Sequence, residues 1–285
     1  MNFMIKRHLA AHIILCNLLV PTAFAVDGVL EINHACATQT GCFSGDSAGY
    51  PITIDGIAGG SYLLTSNLIV PDEDTNGIQV NTSSISIDLN GFEIVRAGCE
   101  GATKDCTPKS GFGAGVRISP ERLGVSVKNG SITGMGWAGV YLAGEQSEAT
   151  GIRARWNRLY GIFTGPGAIV SGNSAYGNLG IGIRVGEGST VSGNTAYKNG
   201  DDGIQALSGS TVSGNTAYIN VAAGIQTGTG CLVQRNTVRN NTGYGLNLPA
   251  DAAYRENVIT GNTAGTVNGG FSMGDNFCDT DATCP

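Results

Sequence analysis

The chain has 285 residues and a formal net charge of −6, and only 13% of its residues are charged. An acidic chain with dispersed lysines and arginines lacks the basic patch of a nucleic-acid-binding protein, and we expect no nucleic-acid partner. Glycine contributes 45 residues, about twice its usual share of ~7%, which is typical of a chain that turns often.

Residues 1–25 have the form of a secretory signal peptide. Lys6 and Arg7 precede an apolar run from Leu9 to Val20, and Ala23-Phe24-Ala25 offers a small-x-small cleavage site. We predict cleavage after Ala25 and a secreted or periplasmic protein. The apolar run is shorter than the ~20 residues that span a bilayer, and no later run is long enough, so we expect no membrane span.

The remaining cysteines fall into three pairs that are close in sequence, as expected for local disulfides in an exported protein. The predicted pairs are Cys36 with Cys42, Cys99 with Cys106, and Cys278 with Cys284. Cys231 is left over and stands where the repeat has Ser189 and Ser210, which predicts a packed thiol.

An internal repeat of 21 residues dominates the second half of the chain. It links four sets of positions: Val170, Val191, Val212 and Val233; Asn173, Asn194, Asn215, Asn236 and Asn257; Asn157, Asn178, Asn199, Asn220, Asn241 and Asn262; and the pairs Gly161-Ile162, Gly182-Ile183, Gly203-Ile204, Gly224-Ile225 and Gly245-Leu246. Four sets that keep one spacing indicate stacked structural repeats.

Short alternating segments such as Ile85 to Leu89 favour strands with one buried face. One repeat closes into a coil of two or three strands, and equivalent strands pair in parallel at about 4.8 Å. The aliphatic columns then lie inside, because a single coil cannot bury its apolar face alone. We interpret the asparagines as a structural ladder that tolerates left-handed turns, and the glycines before the Ile column as residues that permit the turn geometry.

The sequence therefore predicts an all-β fold, a parallel β-helix in the form of a single-stranded solenoid with eight or nine coils. We expect a signal peptide over 1–25, an N-terminal cap over 26–60, the solenoid over 61–268 and a C-terminal cap over 269–285 containing Cys278 and Cys284. An insertion between Val95 and Phe112 enlarges one early coil.

The repeat Gly-Asn-Thr-Ala-Tyr-x-Asn-x-x-x-Gly-Ile, together with the segment from Ser84 to Ile94, resembles bacterial right-handed parallel β-helix proteins of the pectate-lyase-like superfamily, including the NosD-like repeats. The resemblance covers roughly residues 50–275 and implies right-handed coiling. It also implies a relation to polysaccharide lyases, polygalacturonases and alginate epimerases.

The catalytic signatures of those enzymes are incomplete here. Gly200-Asp201-Asp202 matches one polygalacturonase signature, but His34 is the one histidine after cleavage, so no Gly-His-Gly site exists. The positions one coil away from the two aspartates are Gly180, Ile181, Ala222 and Ala223, which supply no carboxylates for a cation. We predict no resident cofactor or metal, with calcium at the acidic turns as the alternative left open.

Residues that follow the Gly-Ile pairs are expected to point outward. They form one column of amides, cations and aromatics: Gln79, Arg117, Tyr141, Phe163, Arg184, Gln205, Gln226, Asn247 and Asn268. Such a strip suits a polysaccharide, although stacked side chains also stabilise any parallel sheet.

A second candidate is an aromatic and cationic cluster on the early coils: Trp137, Tyr141, Trp156, Tyr160, Arg153, Arg155 and Arg158. Packing beneath a loop is the structural alternative. If the protein performs acid–base chemistry, the pairs to test are Arg184 with Asp202, beside Asp201, and Tyr141 with Arg153. The column Tyr176, Tyr197 and Tyr218 is interpreted as a structural aromatic ladder.

Three functions follow from these patterns. The first is an exported protein that binds an extended polysaccharide along one outer face. The alternatives are a divergent polysaccharide lyase or glycoside hydrolase, and a non-catalytic envelope or surface module. The first two functions share binding of the polymer, and catalysis belongs to the second alone.

Overall fold

The computed structural model describes residues 28–56, 59–279 and 284. The predicted signal peptide, residues 1–25, lies outside this range. Within the described part, the chain folds into short strands and one helix. Over the same residues, no helix combines the length and apolar character that crossing a bilayer requires.

The strands of the described residues follow one another in chain order: β1 (Val29–Ile32), β2 (Ile52–Ile54), β3 (Ser61–Leu64), β4 (Leu68–Val70), β5 (Ile78–Val80), β6 (Ser86–Asp88), β7 (Glu93–Arg96), β8 (Ala114–Ile118), β9 (Ser126–Thr133), β10 (Ala138–Leu142), β11 (Glu148–Arg155), β12 (Tyr160–Thr164), β13 (Ile169–Ser171), β14 (Ser174–Tyr176), β15 (Ile181–Val185), β16 (Thr190–Ser192), β17 (Thr195–Tyr197), β18 (Ile204–Ala206), β19 (Thr211–Ser213), β20 (Thr216–Tyr218), β21 (Ile225–Thr227), β22 (Leu232–Gln234), β23 (Thr237–Arg239), β24 (Tyr244–Asn247), β25 (Ala253–Arg255), β26 (Val258–Thr260), β27 (Gly265–Asn268), β28 (Phe271–Ser272) and β29 (Phe277–Cys278). The helix α1 (His34–Gln39) follows β1.

The strands pair in parallel with their equivalents one coil away, and the chain winds as a right-handed parallel β-solenoid. One sheet of the described residues contains ten strands, in the order β2-β5-β8-β10-β12-β15-β18-β21-β24-β27. We call it the ten-strand sheet. The remaining strands form the nineteen-strand sheet, which supplies the other sides of each coil. The predicted fold is confirmed, with about ten turns, close to the eight or nine expected.

The core lies inside the coils and follows the predicted columns. Val170 pairs with Val191 and Val191 with Val212, and all three are completely buried. The Ile column is equally buried, with Ile183 paired to Ile204. Parallel stacking also includes β1 and β2, which lie in the segment expected to form the N-terminal cap.

The three predicted disulfides are present among the described cysteines, and Cys231 is a buried free thiol. Cys36–Cys42 ties α1 to the loop that follows it, and Asn33 caps this helix by accepting a hydrogen bond from the amide of Cys36. Cys231 Sγ accepts the amide hydrogen of Ser210 and donates to the carbonyl of Leu207. It thus occupies the serine position of the repeat.

Both asparagine columns form buried hydrogen-bond ladders. In Asn199, Oδ1 accepts from the backbone amide and Nδ2 of Asn178, at 3.1 and 3.0 Å. Its Nδ2 donates to the Ala175 carbonyl at 3.1 Å and to Asn220 Oδ1 at 3.0 Å. Each interior asparagine therefore satisfies the side-chain amide and a backbone amide of the preceding coil, as a buried polar group must. Asn276 extends one ladder beyond the predicted set.

The left-handed conformation belongs to a different residue from the one expected. The ladder asparagines do not adopt it; the residue immediately before each of them does: Trp156, Gly172, Gly177, Gly193, Lys198, Gly214, Ile219, Arg235, Asn240, Glu256, Gly261 and Asp275. This turn aims the asparagine side chain into the coil, so the conformational cost falls on its predecessor.

The glycines before the Ile column also have a different role from the one expected. Their φ angles are not in the left-handed region, so turn geometry is not the reason for them. A Cβ on Gly203 would lie 2.6 Å from Asn220 Nδ2 and 2.7 Å from the carbonyl oxygen of Gly224. Glycine is required because the asparagine ladder and the adjacent coil occupy that space.

Ile219 shows the cost of the turn most clearly, because it is a β-branched residue at φ 56° and is 43% exposed. Left-handed backbone costs such a residue about 1–2 kcal/mol. We expect Ile219→Asn to raise the free energy of unfolding by about 1 kcal/mol, since asparagine tolerates this conformation and Asn240 occupies the next equivalent position. Chemical denaturation measures the gain. Ile219→Val, which keeps the branch at Cβ, is the control, and an equal gain from it would contradict the explanation.

Candidate functional site

The residues after the Gly-Ile pairs form one continuous outer column on the ten-strand sheet. Its members lie on successive strands and pair in register from coil to coil: Gln79, Arg117, Tyr141, Phe163, Arg184, Gln205, Gln226, Asn247 and Asn268. All but Asn268, which is exposed, are half-buried, while their neighbours in the Ile column are buried. We call this set the outer column.

The centre of the outer column is a stack of two aromatic rings between two guanidinium groups. The rings of Tyr141 and Phe163 stack at 4.7 Å between centroids with an interplanar angle of 16°. Arg117 lies 5.6 Å from the centroid of Tyr141, and Arg184 lies 5.3 Å from that of Phe163. The ring faces are therefore covered within the stack, and each arginine is held in place by a cation–π contact.

Two further aromatics extend this surface sideways. Trp137 meets Tyr141 edge-on at 6.2 Å, and Phe112 lies 5.2 Å from Trp137. Phe112 is 59% exposed. The sequence did not single out Phe112, because it closes the insertion after Val95 and falls outside the repeat. Its pairing with Trp137 becomes visible only once the insertion is folded.

A groove of about 440 Å³ lies beside Arg184, and its wall is largely apolar. It is lined by Pro120, Ala143, Phe163, Thr164, Gly165, Pro166, Arg184, Val185, Gly186, Glu187 and Leu207. Arg184 Nη1 donates to the Tyr160 hydroxyl at 3.2 Å, which fixes the guanidinium at the edge of the groove. In the described part of the chain, Arg184 Nη2 has no hydrogen-bond partner, so it is available to a ligand.

The family described as the right handed beta helix region matches residues 114–264, which is more than half of the chain. The chain belongs to the right-handed β-helix family. The matched residues include Arg117, Tyr141, Phe163 and Arg184 of the outer column.

Three enzymes are among the solved structures that this chain resembles at low identity. The pectate lyase Pel9A is 13% identical over 88% of this chain and 80% of its own, with a TM-score of 0.51. The periplasmic alginate epimerase AlgG is 15% identical over 86% and 70%, with a TM-score of 0.46. The A-module of the Azotobacter vinelandii mannuronan C-5 epimerase AlgE4 is 16% identical over 73% and 72%, with a TM-score of 0.44. No curated protein matches the sequence.

The β-helix does not bring together the pair Tyr141 and Arg153. Tyr141 is in β10 of the ten-strand sheet, whereas Arg153 is in β11 of the nineteen-strand sheet. Trp156 is likewise not part of a cluster with Trp137. It is buried, and its ring lies 6.0 Å from that of Tyr176, at the start of the confirmed Tyr176–Tyr197–Tyr218 stack.

Arg184 and Asp202 also form no ion pair in the described structure. Arg184 is oriented by Tyr160 and Phe163, while Asp202 is 4% exposed and its Oδ1 accepts the backbone amide of Ala223 at 2.9 Å. Asp201 is exposed. Among the described residues, no group of three or more His, Cys, Asp or Glu side chains is arranged to hold a metal ion.

Burial raises the pKa of Asp202 to about 6, and the neighbouring Asp201 adds to the shift, while the Ala223 amide opposes it. The folded state therefore favours the neutral acid. Below the unfolded pKa of 3.8, Asp202 is protonated in both the folded and the unfolded chain, and its shifted pKa contributes fully to the stability of the folded state. As the pH rises through the folded value, the contribution is lost, to an extent of at most about 3 kcal/mol.

We therefore expect Asp202→Asn to stabilise the β-helix at pH 8 and to have little effect at pH 4. The asparagine keeps an oxygen that accepts from the Ala223 amide, but it carries no charge to bury. Thermal unfolding at both pH values measures the difference. Asp201→Asn is the matched control, since Asp201 is exposed, and a similar pH-dependent gain in this variant would contradict the assignment to Asp202.

Proposed function

We propose that this protein binds an extended acidic polysaccharide along the outer column of the ten-strand sheet. The observation that carries this function is the stack Arg117–Tyr141–Phe163–Arg184, with a guanidinium at each end and an apolar groove beside Arg184. The stack is built from four adjacent coils, so its groups lie in line along the solenoid axis.

The surface suits a sugar polymer because it combines apolar contact with directed hydrogen bonding. Phe163, Pro166 and Leu207 give the groove a wall for the C–H face of a sugar ring. Gln205 and Gln226 continue the column with side-chain amides that donate to and accept from hydroxyls. A polymer lying along the axis meets a new rung of the column about every 4.8 Å.

The two arginines favour an acidic polymer. A guanidinium holds a carboxylate through two parallel N–H donors, and a neutral sugar offers no such acceptor. Arg117 and Arg184 are three coils apart, about 14 Å at the usual spacing between parallel strands. One extended chain that carries carboxylates along its length reaches both.

The pectate lyase Pel9A shares the fold and, by its name, acts on pectate. At 13% identity this likeness concerns the fold alone, and the acidic ligand is inferred from the residues of this chain.

Isothermal titration with polygalacturonate, alginate and neutral dextran tests the function. Wild type is expected to bind at least one acidic polymer and not dextran. Arg184→Ala is expected to weaken binding about tenfold or more, as expected for a lost charge-assisted hydrogen bond. Arg239→Ala, an exposed arginine on the nineteen-strand sheet, is the control. No binding of either acidic polymer, or equal loss in both variants, would contradict the function.

Absorbance of unsaturated products in the same mixtures separates binding from the lyase alternative. Binding without turnover supports a binding protein. Turnover abolished by Arg184→Ala or Asp202→Ala supports a lyase, and the absence of both binding and turnover supports a surface module.

A further inference from the structure

A second hollow, of about 370 Å³, lies on the nineteen-strand sheet, on a different face from the outer column. Its lining is polar: Asn67, Gly91, Glu93, Ser131, Arg153 and Arg155. Arg153 and Arg155 are two residues apart on β11, so both side chains point outward from the same coil.

Both arginines are held by hydroxyl groups of the preceding coil. Arg153 Nε donates to Ser131 Oγ at 3.0 Å, and Arg155 Nε donates to Thr133 Oγ1 at 2.9 Å. The buried Thr133 hydroxyl donates to Glu93 Oε1, which also accepts from Arg155 Nη2 at 3.0 Å. These contacts fix the direction in which each guanidinium presents its remaining donors.

The two guanidiniums differ in whether their charge and their Nη donors have a partner within the protein. Arg155 is neutralised by Glu93, and their side chains are 32% and 16% exposed. Arg153 is exposed and has no carboxylate within ion-pair distance in the described structure, and neither of its Nη groups has a partner there. The ion pair with Glu93 involves only Arg155. It therefore gives no reason for the second arginine, Arg153, beside the open polar hollow.

We propose that this hollow is a second ligand site, which binds an oxyanion: the carboxylate of a sugar acid or a free inorganic anion. Arg153 receives the anion through its two Nη groups, a geometry suited to bidentate contact. Glu93 and Asn67 also line the hollow, where the carboxylate accepts from the hydroxyls of a sugar and the side-chain amide donates to them. This site is independent of the function proposed for the outer column.

The test uses the Arg184→Gln protein, in which the outer column is weakened, and follows binding of D-galacturonate, inorganic sulfate and glucose by isothermal titration calorimetry. We expect saturable binding of galacturonate but not glucose. Sulfate binding at the same site would identify a bare oxyanion as sufficient. Adding Arg153→Gln is expected to weaken anion binding about tenfold.

Arg239→Gln in the same background is the matched control, since it removes an exposed arginine from the same sheet, and it is expected to leave the affinity within about twofold. Unchanged melting of the Arg153→Gln protein shows that the fold is intact. The second site is overturned if neither galacturonate nor sulfate binds saturably, or if Arg239→Gln weakens binding as much as Arg153→Gln. Either result leaves polymer binding by the outer column unaffected.

Discussion

Asn199→Ala is expected to lower the free energy of unfolding by about 3–5 kcal/mol. Asn199 is completely buried and makes four side-chain hydrogen bonds across three coils. Alanine removes the acceptor for the Asn178 amide and side chain, and the donor for the Ala175 carbonyl. These groups are buried, so each keeps its cost of desolvation.

Urea or guanidinium unfolding followed by circular dichroism measures this loss. Thr190→Ala is the control, since Thr190 is an exposed residue of β16, nine positions before Asn199, and surface changes of this kind usually stay within about 0.5 kcal/mol. If Asn199→Ala costs no more than the control, the ladder does not stabilise the solenoid.

Gly203→Ala is expected to cost about 3 kcal/mol or more, or to prevent folding, although the added group is a single methyl. The methyl would lie 2.6 Å from Asn220 Nδ2 and 2.7 Å from the Gly224 carbonyl oxygen. Neither atom has room to move, because the first belongs to the buried ladder and the second to a paired coil. Soluble yield and the midpoint of thermal unfolding report the effect.

Gly209→Ala separates steric from conformational cost. Gly209 has a φ of 69°, and its nearest contact to an added Cβ is at 4.0 Å, so only the left-handed backbone is penalised. This costs about 1–2 kcal/mol. If Gly209→Ala is as damaging as Gly203→Ala, the glycines before the Ile column are required for their conformation and not for the space beside the ladder.

The sequence alone predicts the coils and their columns because the same residue type recurs at every turn. Val191, Asn199 and Ile204 have equivalents 21 residues away, and the sheet pairs them in that register. The residue with the left-handed backbone conformation, immediately before each ladder asparagine, could not be predicted in this way. Glycine, lysine, isoleucine and asparagine all occupy it, because the position is fixed by the asparagine that follows and not by its own side chain.

The candidate sites were harder to predict than the fold. The outer column was found because it follows a repeated pair, but the partners of its aromatics were not. Phe112 and Glu93 lie beside the insertion, where equivalent positions are about 40 residues apart, so Glu93 meets Arg155 at a separation of 62 residues. The 21-residue spacing of the regular coils therefore does not predict such contacts.

Two cations on one face also explain how an acidic protein would hold an acidic polymer. The net charge of −6 acts over the whole molecule, but at physiological ionic strength charges beyond about 8 Å are largely screened. Contacts made directly by Arg117 and Arg184 then outweigh the distant carboxylates, and the two arginines outnumber Glu187, which lines the groove beside Arg184.

A length series of oligogalacturonates, titrated calorimetrically at physiological salt, tests this arrangement most directly. If the ligand lies along the outer column, affinity rises with chain length until one oligomer reaches both Arg117 and Arg184. Arg117→Ala then removes the gain of the longer oligomers and leaves the shorter ones that contact Arg184 unchanged. An affinity independent of length, or a length dependence that survives Arg117→Ala, would contradict binding along the solenoid axis.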